Sequence, residues 1–123
     1  MVAVRQKLFV YSRALDALTA CEEIARRVPA YRSDIIDQLR RASVSITANL
    51  AEGAGEFSPA DKAKYYRIAR RSASECGALL DAIERVIPDP PDTTKAHALL
   101  NEVVALSTNV VLAIEARGRD RRH

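Results

Sequence analysis

The stretch Gln38-Leu39-Arg40-Arg41-Ala42-Ser43-Val44-Ser45-Ile46-Thr47-Ala48-Asn49-Leu50-Ala51-Glu52-Gly53 carries charge near its ends and none from Ala42 to Ala51, which is nearly three helical turns. Ile35, Leu39, Ala42, Ile46, Asn49 and Gly53 recur at three- and four-residue steps, so the spacing predicts a helix with these residues on one face. At about 100° per residue, Val44, Thr47, Ala48 and Ala51 point away from that face and form a second face of small, uncharged side chains. A surface helix ordinarily carries a charged outer stripe. This one is therefore expected to be covered on both sides, by its own bundle on one and by another chain on the other.

The boundaries of this helix, about 34–54, are marked by Ser33 as an N-cap with Asp34 and Asp37 in the first turn, and by Gly53 and Gly55 at the end. Upstream, Tyr11, Leu15, Leu18, Cys21, Ala25 and Val28 follow the same period until Pro29, predicting a helix over about 8–28. Downstream, Ser58-Pro59-Ala60-Asp61 is a helix start, with Ser as cap, Pro at the first helical position and Asp three residues after the cap. The stripe Tyr65, Ala69, Ser72, Cys76, Leu79, Ile83, Val86, widened by Tyr66, Ala73, Leu80 and Ile87, predicts a helix over about 59–87, broken by Pro88, Pro90 and Pro91. Asp92 or Thr93 caps a fourth helix over about 93–117, with Leu99, Val103, Leu106, Val110 and Ile114 facing inward. Val103 to Ile114 is again free of charge, and residues 118–123 read as a flexible basic tail.

Four helices joined by short connections predict an all-α, antiparallel up-down-up-down four-helix bundle in one domain, 1–117. The composition agrees, because apolar residues make up 48% of the chain while aromatics are 5% and Trp is absent, which favours helix packing over sheets. Two uncharged helices in so small a bundle predict a homo-oligomer. Cys21 and Cys76 fall in apolar helical patterns and read as buried free thiols; with no signal peptide and no uncharged apolar run of about 18 residues, the expectation is a cytoplasmic protein without a membrane span.

The central stretch resembles the Q-x-R-R-A-x-x-S-I-x-x-N-I-A-E-G signature of the bacterial four-helix-bundle proteins encoded in intervening sequences of 23S ribosomal RNA genes. Leu8-Phe9-Val10-Tyr11 is similar to that family's opening, and Ser58, Tyr65, Tyr66, Ile68, Ala69, Ser72, Ala73 and Glu75 to its third helix. The family resembles in turn the accessory variability determinant of diversity-generating retroelements. That likeness implies a ring-shaped homopentamer that binds nucleic acid and has a protein partner such as a reverse transcriptase. Leu50 stands where the signature has Ile, and Gly55-Glu56-Phe57 where a basic residue often follows the glycine, which weakens a positive patch at that turn.

A net charge of +3 permits nucleic-acid contact without demanding it. Lys64, Arg67 and Arg71, with Lys62 and Arg70 nearby, lie opposite the Tyr65, Ala69, Ser72 stripe, where they are either phosphate ligands or a solvated face. Arg40 and Arg41 project from the second helix, either toward phosphates or toward Glu52 or Glu75 of a neighbouring subunit. Asn49 lies on the inward line and reads as a polar core residue that fixes register. No metal, cofactor or catalytic residue is expected: neither His97 nor His123 has a Glu three residues before it, and no phosphate loop or nucleophile elbow is present. The reading is a non-enzymatic homo-oligomeric adaptor that holds RNA or DNA. A protein-interaction scaffold without nucleic acid is the alternative.

Overall fold

The computed structural model describes residues 4–120. Four α-helices follow in order, α1 (Val4–Arg27), α2 (Ser33–Gly55), α3 (Pro59–Val86) and α4 (Thr94–Asp120), with a single 3-10 turn, Ala30–Arg32, between the first two. The described residues contain no strand. Each helix packs on its chain neighbours and α4 closes back on α1, so α1 lies diagonally across from α3 and α2 from α4. Cross-helix pairs fix the direction: Glu22, late in α1, meets Arg40, early in α2; Ser45 and Ser72 meet at mid-helix; and Arg67, early in α3, meets Glu115, late in α4, as antiparallel neighbours require.

The helix ends follow local chemistry. Ser58 Oγ accepts the Asp61 N–H at 3.0 Å, with Pro59 opening α3, as its sequence predicts. Asp92 accepts the Thr94 N–H at 3.0 Å, while the Thr93 carbonyl receives the His97 N–H at 2.9 Å, so both proposed caps of α4 take part. Ser33 does not cap α2: the 3-10 turn runs directly into the helix, and the bonding there is between Arg32 and Asp34 at 2.9 and 3.0 Å. The basic tail starts later than expected, because α4 continues through Gly118 to Asp120; residues 121–123 lie outside the described residues. Asp89, between two prolines, takes a left-handed φ of 48°, which Asp tolerates better than most side chains.

The core differs from the expected stripes in an instructive way. Tyr66, Leu39, Ile46, Leu80, Ile83 and Leu100 from α2, α3 and α4 are fully buried and fill the centre. Mostly small residues fit opposite them on α1, so its inner line is Val10, Ala14, Ala17, Cys21 and Ile24, with Val28 buried just past its end, whereas Tyr11 and Leu15 stand outside. On α3 the buried row is Tyr66, Ala69, Ala73, Cys76, Leu80 and Ile83; Tyr65, Ser72 and Leu79 are half-buried and Val86 is exposed. Gly53 is needed where α2 crosses α3, because a Cβ there would come within 2.9 Å of the Tyr66 ring. Cys21 and Cys76 meet across the diagonal as free thiols. Hydrogen-bonded to the Cys21 thiol and shut off from water, Cys76 is pushed far above the ordinary thiol range. One buried polar atom among the described residues, Ser107 Oγ, has no hydrogen-bond partner.

By length and composition α4 could cross a membrane. In the bundle its Leu99, Leu100, Val103, Val110, Val111 and Ile114 are buried against the other three helices.

Candidate interaction surfaces

Two uncharged faces remain on the outside. On α2, Val44, Ala48 and Ala51 are exposed, Val44 by 53%. Thr47, expected with them, is instead buried in the groove toward α1 and donates its hydroxyl to the Val44 carbonyl at 2.9 Å. The face is continued by α1, whose Val4, Leu8, Tyr11 and Leu15 are exposed and share one side of that helix. The Glu22–Arg40 pair sets the antiparallel register, which brings Leu15 and Tyr11 abreast of Thr47 and Ala51. The second face is on α4, where Ala98, Asn101, Ala105, Asn109 and Leu112 are exposed without a charge among them. Since α2 and α4 are diagonal partners, the two faces look in opposite directions.

The six cationic positions singled out in the sequence do not act as one row. Arg40 makes a two-pronged bond to Glu22 at 2.9 and 3.0 Å, which holds the Glu22 carboxyl below the usual range and raises the arginine. Arg67 leans toward α4 and pairs with Glu115 at 2.8 Å, and Arg70 reaches the Thr108 hydroxyl at 3.4 Å. Arg41, Lys64 and Arg71 are exposed, Lys64 lying 5.5 Å from the Tyr65 ring centroid. Within the chain, the partner of Arg40 is Glu22.

Asn49 is half-buried and lies at the α2–α3 seam, not in the core. Its amide donates to the Ser45 carbonyl at 2.8 Å and to Ser45 Oγ at 3.0 Å, and Ser45 Oγ meets Ser72 Oγ at 2.9 Å. Ser45–Ser72 joins α2 to α3, while the bonds of Asn49 stay within α2, so its place differs from the core position its sequence predicts.

A cationic group that the sequence does not announce forms where α1 and α3 begin and α4 ends. Lys7 lies close enough to Lys62 and Arg117 there to feel the charge of both. Partial burial, then the neighbouring Lys62 charge, lowers Lys7 below the ordinary lysine range. Next to this group an open cleft of about 320 Å³ is lined by Pro59, Ala63, Arg67, Ile114 and Arg119 among others. Like charges held together in this way favour a bound anion, which would remove their repulsion. The signal in the sequence was the run of basic residues near 62 and 117; what hid the group was the distance along the chain.

Comparison with known proteins places this architecture. The family model described as "23S rRNA-intervening sequence protein" matches residues 6–109. No curated protein matches the sequence. The structure superposes with a TM-score of 0.70 on a crystal structure from Bacteroides thetaiotaomicron, described as a protein with unknown function from the S23 ribosomal protein family. That protein is 18% identical, with 89% of this chain and 98% of the other covered, and the likeness is one of fold.

Proposed function

This chain belongs to the 23S rRNA-intervening sequence protein family, and from that premise and the surfaces above we propose that it is a non-enzymatic homo-oligomer that binds nucleic acid. The observation that carries this reading is the pair of uncharged faces on diagonal helices, α1/α2 on one side and α4 on the other. Exposed apolar patches of this kind mark association sites. Two different faces on opposite sides favour head-to-tail contact, in which the α4 face of one copy covers the α1/α2 face of the next, and such contacts close into a ring when the rotation between copies divides the circle evenly. Five copies is the number we propose for that ring.

With the bundles standing side by side, every copy presents its Lys7, Lys62 and Arg117 at the same rim. The repeated cations would bind phosphates cooperatively along a strand, with steep dependence on salt. Arg41, Lys64 and Arg71 add exposed charge on the flanks.

A scaffold that binds only protein is the second reading. The specific observation favouring it is that Arg40 and Arg67 are already paired with Glu22 and Glu115. Light scattering gives the first test: a particle several times the 13.5 kDa chain mass is expected, and a monomer at high concentration overturns the assembly. A mobility-shift titration with single-stranded RNA and DNA at about 50 and 200 mM salt gives the second, with an affinity loss of about tenfold or more at the higher salt expected. An oligomer that binds neither strand at the lower salt selects the scaffold.

A further inference from the structure

Asp81 and Glu84 are three residues apart on α3 and share one side of it, and His97, in the first turns of α4, leans between them. His97 Nε2 stands 3.3 Å from Asp81 Oδ1 and 3.2 Å from Glu84 Oε2, and the donor atoms of the three residues all lie within 4.8 Å of one another. We propose that Asp81, Glu84 and His97 form a binding site for a divalent first-row transition metal ion of the zinc type, which ties α3 to the start of α4.

The two contacts are of ion-pair length, and their near equality is also what a shared ion would give. A single Nε2–H between two carboxylates makes a three-centre hydrogen bond, whereas direct charge-assisted N–H···O contacts close to about 2.7–2.9 Å. Both contacts are longer than that range and nearly equal. They match the edge of a coordination polyhedron: with bonds of about 2.0–2.1 Å to imidazole and carboxylate, tetrahedrally placed ligands lie roughly 3.3–3.4 Å apart.

The surroundings also resemble those of a metal ligand set. Thr93 is buried, its side chain hydrogen-bonds Glu84, and its carbonyl accepts the His97 N–H at 2.9 Å. One residue thus steadies two of the three ligands, the task that outer residues perform around metal sites. One imidazole with two carboxylates suits zinc and its neighbours in the first transition row over calcium or magnesium, which prefer oxygen alone. His97 is partly exposed, so an ion can enter from solvent. The site does not depend on how the chain assembles or on what the cationic end binds.

Chelator-stripped full-length protein titrated with zinc chloride by calorimetry tests the proposal, with cobalt(II) as an optical probe of imidazole and carboxylate ligation. One ion per chain is expected, weakened on the order of 100-fold by His97→Ala and about tenfold by Thr93→Val, and unchanged by His123→Ala. Circular dichroism checks that each variant stays helical. An NMR spectrum of unmodified protein gives a reading free of substitution, in which zinc shifts the ring signals of His97. Wild-type binding no tighter than that of His97→Ala, or a zinc-induced shift confined to His123, overturns the site.

Discussion

Where α1 begins and α4 ends, Lys7, Lys62 and Arg117 crowd together; where α3 ends and α4 begins, Asp81 and Glu84 flank His97. Backbone electrostatics cannot be the source of this contrast. In an up-down-up-down bundle each end holds two helix N-termini and two C-termini, so the macrodipoles largely cancel. Side chains alone give the ends opposite chemistry, one suited to anions and the other to a cation. The bundle therefore acts as a neutral frame on which two unlike sites are placed about a helix length apart.

The largest effect should come from the packing that underlies the cationic end. Tyr66→Ala removes the biggest fully buried side chain and should cost about 3–5 kcal/mol in chemical denaturation. If the two ends are one cooperative unit, hydrogen exchange at both will rise together; protection lost only near Tyr66 would divide the bundle into halves. Replacing both lysines, Lys7→Gln with Lys62→Gln, should come next. Binding to RNA or DNA should weaken about 10- to 100-fold at low salt, with the salt slope reduced by roughly two phosphate contacts. The same change should stabilise the unliganded protein slightly. Lys7 titrates below its ordinary range, so its unfavourable charge is fully present at neutral pH and is relieved only as pH rises past that lowered value. His97→Ala should leave nucleic-acid binding untouched, and a loss there would break the separation of the ends.

Smaller effects probe the walls between the two sites. Ser107→Ala should raise stability by about 1 kcal/mol, since the hydroxyl is buried without a partner. Smallest is the Glu22–Arg40 pair on the outside of α1 and α2. The arginine holds Glu22 below the usual carboxylate range, so its contribution is complete above the unfolded-state value and disappears as pH falls through the folded one. Arg40→Gln should flatten that acid dependence of the melting temperature and leave neutral-pH melting in high salt nearly unchanged.

Four helices and their breaks were legible because Pro29, Gly55 and the Pro88–Pro91 run interrupt strong periodicity, and Ser58 caps as its neighbours require. Within α1 the same periodicity ranked Tyr11 and Leu15 inside, since hydrophobicity rises with size. Space at the centre was already taken by Tyr66 and Leu80, so alanines won. Thr47 and Asn49 turned into grooves that only the neighbouring helix defines. The cationic end joins positions 7, 62 and 117, and the carboxylate pair at 81 and 84 meets a histidine from the next helix. Both need the antiparallel register before residue spacing says anything about them.

The diagonal thiols give the molecule its own clock. Cys21 and Cys76 belong to helices that do not adjoin in the ring of four, and neither is accessible to solvent in the closed bundle. An alkylating reagent can reach them only when α1 and α3 part. The labelling rate in native buffer then counts whole-bundle openings, without denaturant and without an introduced dye.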